Sequence, residues 1–238
     1  MSKSTRQKVA LVIPAYNEGE VIRHVVEKLI STFQKTDYDF RVVVVDDGSK
    51  DNSAEQARLG GAYVIKHILN TGSGGATATG LSYAYRNRFD IATTSDADGQ
   101  HDPEDVLAGV KLITSQDTDL LIGSRLMDKQ GMSRVKILGN TGLSIITNIL
   151  FGIRVTDSQS GLRVFSNRAL AQLKWRTNGY EFCSEMLWRA KQLNLTIAEF
   201  PIKAIYTEYS KSKGQNNWNA FNIVKSLLRR RLMEFLNE

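Results

Sequence analysis

Two carboxylates one residue apart, Asp96 and Asp98, followed by the side-chain amide of Gln100, make Ser95-Asp96-Ala97-Asp98-Gly99-Gln100-His101 the stretch of this sequence best equipped for chemistry. In an extended segment, residues i and i+2 project to the same side, so the two carboxylates can share one hard cation while Gln100 adds a neutral oxygen. An all-oxygen set suits Mg²⁺ or Mn²⁺. A cation held by so few protein groups usually completes its shell with substrate phosphates. Taken alone, Asp-Ala-Asp reads more readily as a solvated Asp/Gly turn, and the neighbouring motifs decide between the two.

Those neighbours are several. Pro14-Ala15-Tyr16-Asn17-Glu18 offers an exposed aromatic and a carboxylate suited to a base and ribose, although Asn17 as a helix cap explains part of it. Asp46-Asp47-Gly48-Ser49, with Asp51 beyond, places two more carboxylates in what is otherwise ordinary turn chemistry. Asn70-Thr71-Gly72-Ser73-Gly74-Gly75-Ala76, with Gly80 further on, is a glycine-rich loop opening a helix. It matches neither the Walker lysine pattern nor G-x-G-x-x-G, and close helix packing explains its glycines as well as phosphate binding does. Gly123-Ser124-Arg125 and the later Arg134 supply guanidinium forks able to clamp a phosphate. Asp157-Ser158-Gln159-Ser160-Gly161 adds a polar turn, and Glu181 and Glu185 share a helix face where solvation or an ion pair is expected. Of His24, His67 and His101, only the last adjoins the metal motif, and a structural role is expected even there.

Alternating elements must position these motifs. Strand-like runs at 9–13, 40–45, 62–66, 90–94 and 120–122 alternate with helical patterns at 18–33, after Ser49, at 74–88 and after Asp102-Pro103-Glu104. The β-branched run Phe40 to Val45 fits a buried parallel strand. The order predicts an α/β sheet with crossover helices, and the polar motifs fall at strand carboxyl ends, where such sheets bind ligands. After Gly123 the pattern loosens into a polar loop and a helix near 135–150. A turn at 157–161, a helix at 181–193 and short strands flanking Pro201 follow.

Composition bounds the function. The 238 residues include one cysteine, Cys183, which excludes an internal disulfide. The polar, basic N-terminus reads as no secretory signal, and a cytosolic protein is expected. No run approaches the roughly 20 apolar residues of a membrane span, so any membrane contact is expected to be peripheral. The net charge of +6 divides unevenly: residues 1–122 carry 13 Lys+Arg against 17 Asp+Glu, residues 123–238 carry 18 against 8. A basic second half suits a phosphorylated substrate or an anionic membrane surface. Dispersed basic residues without a recognition motif argue against nucleic acid. Phe221, Val224, Leu228, Leu232 and Phe235 recur at helical spacing beside Arg229 and Arg230, a pattern of core packing or of docking on a membrane or membrane partner.

In their order along nearly the whole chain, these motifs resemble the family 2 glycosyltransferases, most of all the dolichol-phosphate-mannose synthases and bacterial polyprenyl-phosphate relatives. The resemblance implies an α/β GT-A fold over 1–215, in which a Rossmann-like nucleotide-sugar half (1–122) merges with an acceptor half (123–215) around a mixed, mostly parallel sheet. An amphipathic helix over 216–238 would follow. By the family pattern, Pro14, Tyr16, Glu18 and Asp47, with Asp46 and Ala97 beside them, bind the UDP- or GDP-linked donor. Asp96, Asp98 and Gln100 match the metal and diphosphate positions, and Arg125 and Arg134 match the arginines on the lipid phosphate, with Asp157 and Ser160 nearby. Asp98, Arg125 and Arg134 are the expected catalytic residues. Where archaeal synthases carry a serine beside those arginines, this chain reads Lys136-Ile137-Leu138-Gly139. Tyr209 to Gln215 resembles a Ser-Lys loop that brings Lys211 or Lys213 to the donor phosphates.

The expected activity is metal-dependent, inverting transfer of a hexose to polyprenyl phosphate at the cytoplasmic membrane face. A phosphate acceptor is already anionic at neutral pH and needs no base. A saccharide hydroxyl acceptor, the alternative, would need one, with Asp157 or Glu185 as candidates. A non-catalytic nucleotide-sugar-binding subunit is the third possibility.

Overall fold

A computed structural model describes residues 6–128 and 132–205. Seven strands form one sheet in the order β3-β2-β1-β4-β6-β5-β7. In chain order they are β1 (Lys8–Ala15), β2 (Asp39–Asp46), β3 (Tyr63–Lys66), β4 (Ile91–Thr94), β5 (Leu120–Ser124), β6 (Arg163–Ser166) and β7 (Ile197–Pro201). All neighbours pair in parallel except β6, which runs antiparallel between β4 and β5. Its reversal matters, because Arg163 at its start lies opposite Thr94 near the end of β4 and opposite Ile122 of β5. The turn before β6 therefore arrives at the same sheet edge as the carboxyl ends of β1, β2, β4 and β5.

The helices are α1 (Ile22–Phe33), α2 (Ser53–Leu59), α3 (Ser73–Arg86), α4 (Pro103–Ser115), α5 (Arg134–Phe151), α6 (Asn167–Gln172) and α7 (Phe182–Gln192). Strand alternation sorts them into two layers. Val9, Leu11 and Ile13 face a core shared with α1, α2 and α4, while Ala10 and Val12 face one shared with α3, α5, α6 and α7. Gly80 of α3 stands against Val12 and Val45, so a side chain there would hold the helix off the sheet. Asp102 caps α4 by accepting from Glu104 N at 3.0 Å, with Pro103 at the first helical position.

The sequence pattern missed β6 and α6, and expected strands on both sides of Pro201 where only β7, ending on that proline, is formed among the described residues. Asn17 does not cap α1. It adopts φ +55°, and its side-chain oxygen accepts from Lys50 N at 2.9 Å. Lys211, Lys213 and the segment 216–238, expected to be helical, lie outside the described residues.

Candidate active site

The first two strand ends are stitched together by their own polar groups. Asn17 N donates to Ser49 Oγ at 2.9 Å, Glu18 N to Ser53 Oγ at 2.7 Å, and Gly19 N to Asp51 Oδ2 at 3.0 Å. Asp46 has no exposed surface and closes its turn by accepting from Ser49 N at 3.1 Å. Asp47, also buried, accepts from Thr71 N at 2.9 Å, Thr71 Oγ1 at 2.7 Å and Gly72 N at 2.7 Å, and lies 2.7 Å from His67 Nδ1. Burial opposes its ionisation, but these hydrogen bonds outweigh it and hold its carboxyl below the usual range. Neither aspartate presents a surface to a ligand here. Tyr16 does, at 41% exposed, with Pro14 and Glu18 half-buried beside it.

The glycine-rich loop likewise turns the amides of Thr71, Gly72 and Gly74 inward. Gly74 N donates to Asn178 O at 2.7 Å, and a Cβ on Gly74 would lie 2.6 Å from Thr177 O. Close approach to the 177–179 segment explains these glycines; the amides of Thr71, Gly72 and Gly74 are not turned toward a phosphate.

Asp96 and Asp98 follow β4 directly, both half-buried, with Ala97 buried between them. His101 Nε2 lies 3.0 Å from Asp96 Oδ2 and fixes that carboxylate's orientation. Burial disfavours the Asp96 charge, yet the His101 hydrogen bond and the positive fields of His101, Arg125 and Arg163 hold its carboxyl below the usual range. Asp98 goes the other way: burial first, then the Asp96 charge, push it up to about 6. Gln100 N donates to Asp98 Oδ1 at 3.0 Å, so the turn itself aims the second carboxylate. Two crowded carboxylates, one reluctant to ionise, fit a divalent cation that would relieve their repulsion. Among the described residues no cluster of three or more His, Cys, Asp or Glu forms a metal cage, so such a cation would draw remaining ligands from Gln100, water or substrate.

On the opposite side, Arg125 pairs with Asp157 through Nε–Oδ2 at 2.7 Å and Nη2–Oδ1 at 2.9 Å. Asp157 is wholly buried, and its backbone N donates to Glu199 Oε1 at 3.1 Å. Asp157 therefore aims Arg125. Ser160 is also wholly buried, its Oγ without a hydrogen-bond partner among the described residues. Arg134 opens α5, whose cap Ser133 accepts from Lys136 N at 3.4 Å, and is exposed.

The sequence pattern did not single out two residues that the structure places here. Burial, then the Arg125 charge, pull the Lys136 amine below its usual value while Asp98 counteracts, so this lysine shares the field of both. Tyr180, half exposed, has its phenol pushed up by burial and by Asp96, Cys183, Asp98 and Glu18. It tops a loop that Glu185 ties down. That wholly buried carboxylate accepts from Arg176 N and Thr177 N, each at 2.9 Å, and from Thr177 Oγ1 at 2.6 Å. Glu185 forms an ion pair of the expected kind, with Arg189 Nε 3.8 Å from its Oε1, but it does so buried, and the same carboxylate also anchors the loop. Only the proximity of His101 to the motif signalled its part in advance.

Residues 10–173 match the family model described as Glycosyl transferase family 2, and the chain belongs to that family: it is a glycosyltransferase with a GT-A fold. It is 43% identical over 242 residues to the UDP-N-acetylglucosamine–dolichyl-phosphate N-acetylglucosaminyltransferase of Methanococcus voltae, covering 92% of this chain and 94% of that protein. The undecaprenyl-phosphate mannosyltransferase of Micrococcus luteus is 29% identical over 218 residues, 87% of each chain. Among solved structures, glucosyl-3-phosphoglycerate synthase from Mycobacterium tuberculosis superposes with a TM-score of 0.73 at 22% identity, covering 97% of this chain and 80% of that one.

Proposed function

We propose that this glycosyltransferase moves a hexose from a nucleotide-diphosphate sugar to a polyprenyl phosphate, with inversion, at the cytoplasmic face of a membrane. The observation that carries this is the commitment of the two carboxylates named as candidate bases, Asp157 and Glu185. Asp157 is locked in a bidentate pair with Arg125, and Glu185 is consumed by loop amides and a hydroxyl. A hydroxyl acceptor needs a base; a phosphomonoester, with a second pKa of about 6, does not. The charges that bear on the aspartate pair from the acceptor side are instead positive: Lys136 interacts with Asp98, and Arg125 with Asp96.

The chain's residues divide the work accordingly. Tyr16, Pro14 and Glu18 border the donor's nucleoside, and Asp46, Asp47 and Asp51 hold their loops in place. Asp96, Asp98 and Gln100 would hold Mg²⁺ or Mn²⁺, which when bound neutralises charge on the departing nucleotide diphosphate. Arg125, aimed by Asp157, holds the acceptor phosphate for in-line attack, with Lys136 and Arg134 supplying further positive charge. The names of the two relatives above support a polyprenyl acceptor, and the more identical one supports a UDP-linked donor.

A lipid acceptor implies contact with a bilayer. Among the described residues no helix is long and apolar enough to cross one. α5, which starts beside the acceptor side, leaves Val135 (77%), Leu138 (76%) and Ile149 (75%) exposed on one stripe with Ile145, and this supports peripheral docking. The test is incubation of purified protein with Mn²⁺ or Mg²⁺, polyprenyl phosphate and a panel of nucleotide sugars led by UDP-N-acetylglucosamine, with the lipid product read by mass spectrometry. Turnover with a soluble sugar acceptor and none with polyprenyl phosphate would refute the proposal.

A further inference from the structure

Arg163, the first residue of β6, is 1% exposed, yet among the described residues no carboxylate pairs with it. Its Nη2 donates to the Ser158 carbonyl at 2.9 Å, its Nη1 lies 3.5 Å from Met186 Sδ, and its guanidinium sits 5.6 Å from the Phe182 ring centroid. Nε has no partner there. Burying a guanidinium without a carboxylate is costly, and a neutral residue could fill this volume more cheaply. What the cation braces explains why it is kept.

The turn it grips carries one functional contact at each end. At the near end Asp157, adjacent to Ser158, fixes the Arg125 guanidinium. At the far end Gly161 accepts from Thr94 Oγ1 at 2.8 Å and lies so close to Asp96 that a Cβ there would stand 2.6 Å from the carboxyl carbon. The turn is thus the backstop of one metal-site carboxylate and the mount of the acceptor-side arginine. Ser144 Oγ, accepting from Ser158 N at 2.9 Å, secures it from α5. The buried charge also adds to the field that keeps Asp96 ionised.

We propose that Arg163 is a positioning residue that sets the spacing between the Arg125 clamp and the Asp96 carboxylate by holding the 157–161 turn. Its acceptor half rests on the polyprenyl phosphate assignment above; its metal half does not. The test uses the full chain, with Mn²⁺ binding measured by calorimetry in the presence of UDP, transfer kinetics, and thermal melting of each variant. Arg163→Lys keeps the charge and loses the fork. It should weaken Mn²⁺ binding and raise the KM for polyprenyl phosphate, each by about tenfold or more, in protein that still melts cooperatively. Asp157→Asn should raise that KM while leaving Mn²⁺ affinity unchanged, and the double variant should be no worse for the acceptor than the worse single. Parental Mn²⁺ affinity and KM in folded Arg163→Lys, or multiplying effects in the double variant, would overturn the proposal. If Arg163→Lys does not fold, Ser144→Ala loosens the same turn: weakening of both constants supports the role, and weakening of neither overturns it. Absence of transfer to polyprenyl phosphate by the parent refutes the acceptor assignment, while the Mn²⁺ measurements still decide on Arg163.

Discussion

Replacing Asp98 with asparagine should make the metal-free protein more stable at neutral pH and at the same time abolish its response to divalent cations. The carboxyl titrates at about 6 against an ordinary 3.8, because burial and the neighbouring Asp96 charge disfavour its ionised form. The folded state therefore holds this proton more tightly than the unfolded chain does. The group costs nothing below the unfolded value, its penalty grows as pH rises through the window from 3.8 to about 6, and it is constant above that. At about 1.4 kcal/mol per pKa unit the ceiling is about 3 kcal/mol, and partial solvent access with coupling to Asp96 reduces this to about 1–2 kcal/mol. For a chain of this size that is a rise of about 2–8 °C in melting temperature. The amide keeps the oxygen that accepts from Gln100 N, so little else is lost. Melting curves of parent and Asp98→Asn should coincide near pH 4 and separate up to about pH 7, with Mn²⁺ stabilising only the parent. A variant less stable at pH 8, or a gap that does not change with pH, would refute the electrostatic reasoning.

Three further outcomes follow from the same geometry. Lys136→Ala should raise the KM for polyprenyl phosphate by about tenfold, with the KM for the nucleotide sugar unchanged, as steady-state kinetics would show. Glu185→Gln keeps the shape but trades an acceptor oxygen for a donor facing backbone N–H groups. It should lower stability by about 1–3 kcal/mol in urea titrations and raise the donor KM as the loop bearing Tyr180 loosens. Val135→Asp combined with Leu138→Asp, both on the exposed stripe of α5, should abolish cosedimentation with anionic vesicles while leaving Mn²⁺ binding intact.

How much of this was legible beforehand varied with the range of the interaction. The strand ends were readable because apolar runs such as Phe40 to Val45 stop abruptly on acidic turns, and the Asp96/Asp98 pair because its spacing is local. β6 was not, since Arg163-Val164-Phe165-Ser166 is four residues long and opens on a charged side chain whose burial depends on packing from α7. For Glu185 the expected ion pair, to Arg189, is present, but its burial was not legible, because a spacing of four says which residues share a face, not which way the face points. Phe182, Met186 and Trp188 around it are all buried. Arg125 and Asp157 are 32 residues apart, so their pairing is invisible to any local pattern. The glycine-rich loop was ambiguous in sequence because glycine serves both phosphate approach and backbone packing, and the contacts with 177–179 resolve it as packing.

The most direct test of transfer to a lipid phosphate is mass spectrometry of the lipid fraction after incubating parent, Asp98→Ala and Arg125→Ala proteins with Mn²⁺, polyprenyl phosphate and nucleotide sugars. A hexosyl phosphate lipid formed by the parent and lost in both variants is the predicted result. Sugar transferred to a saccharide hydroxyl with the phospholipid unmodified, or full lipid product from Arg125→Ala, would contradict it.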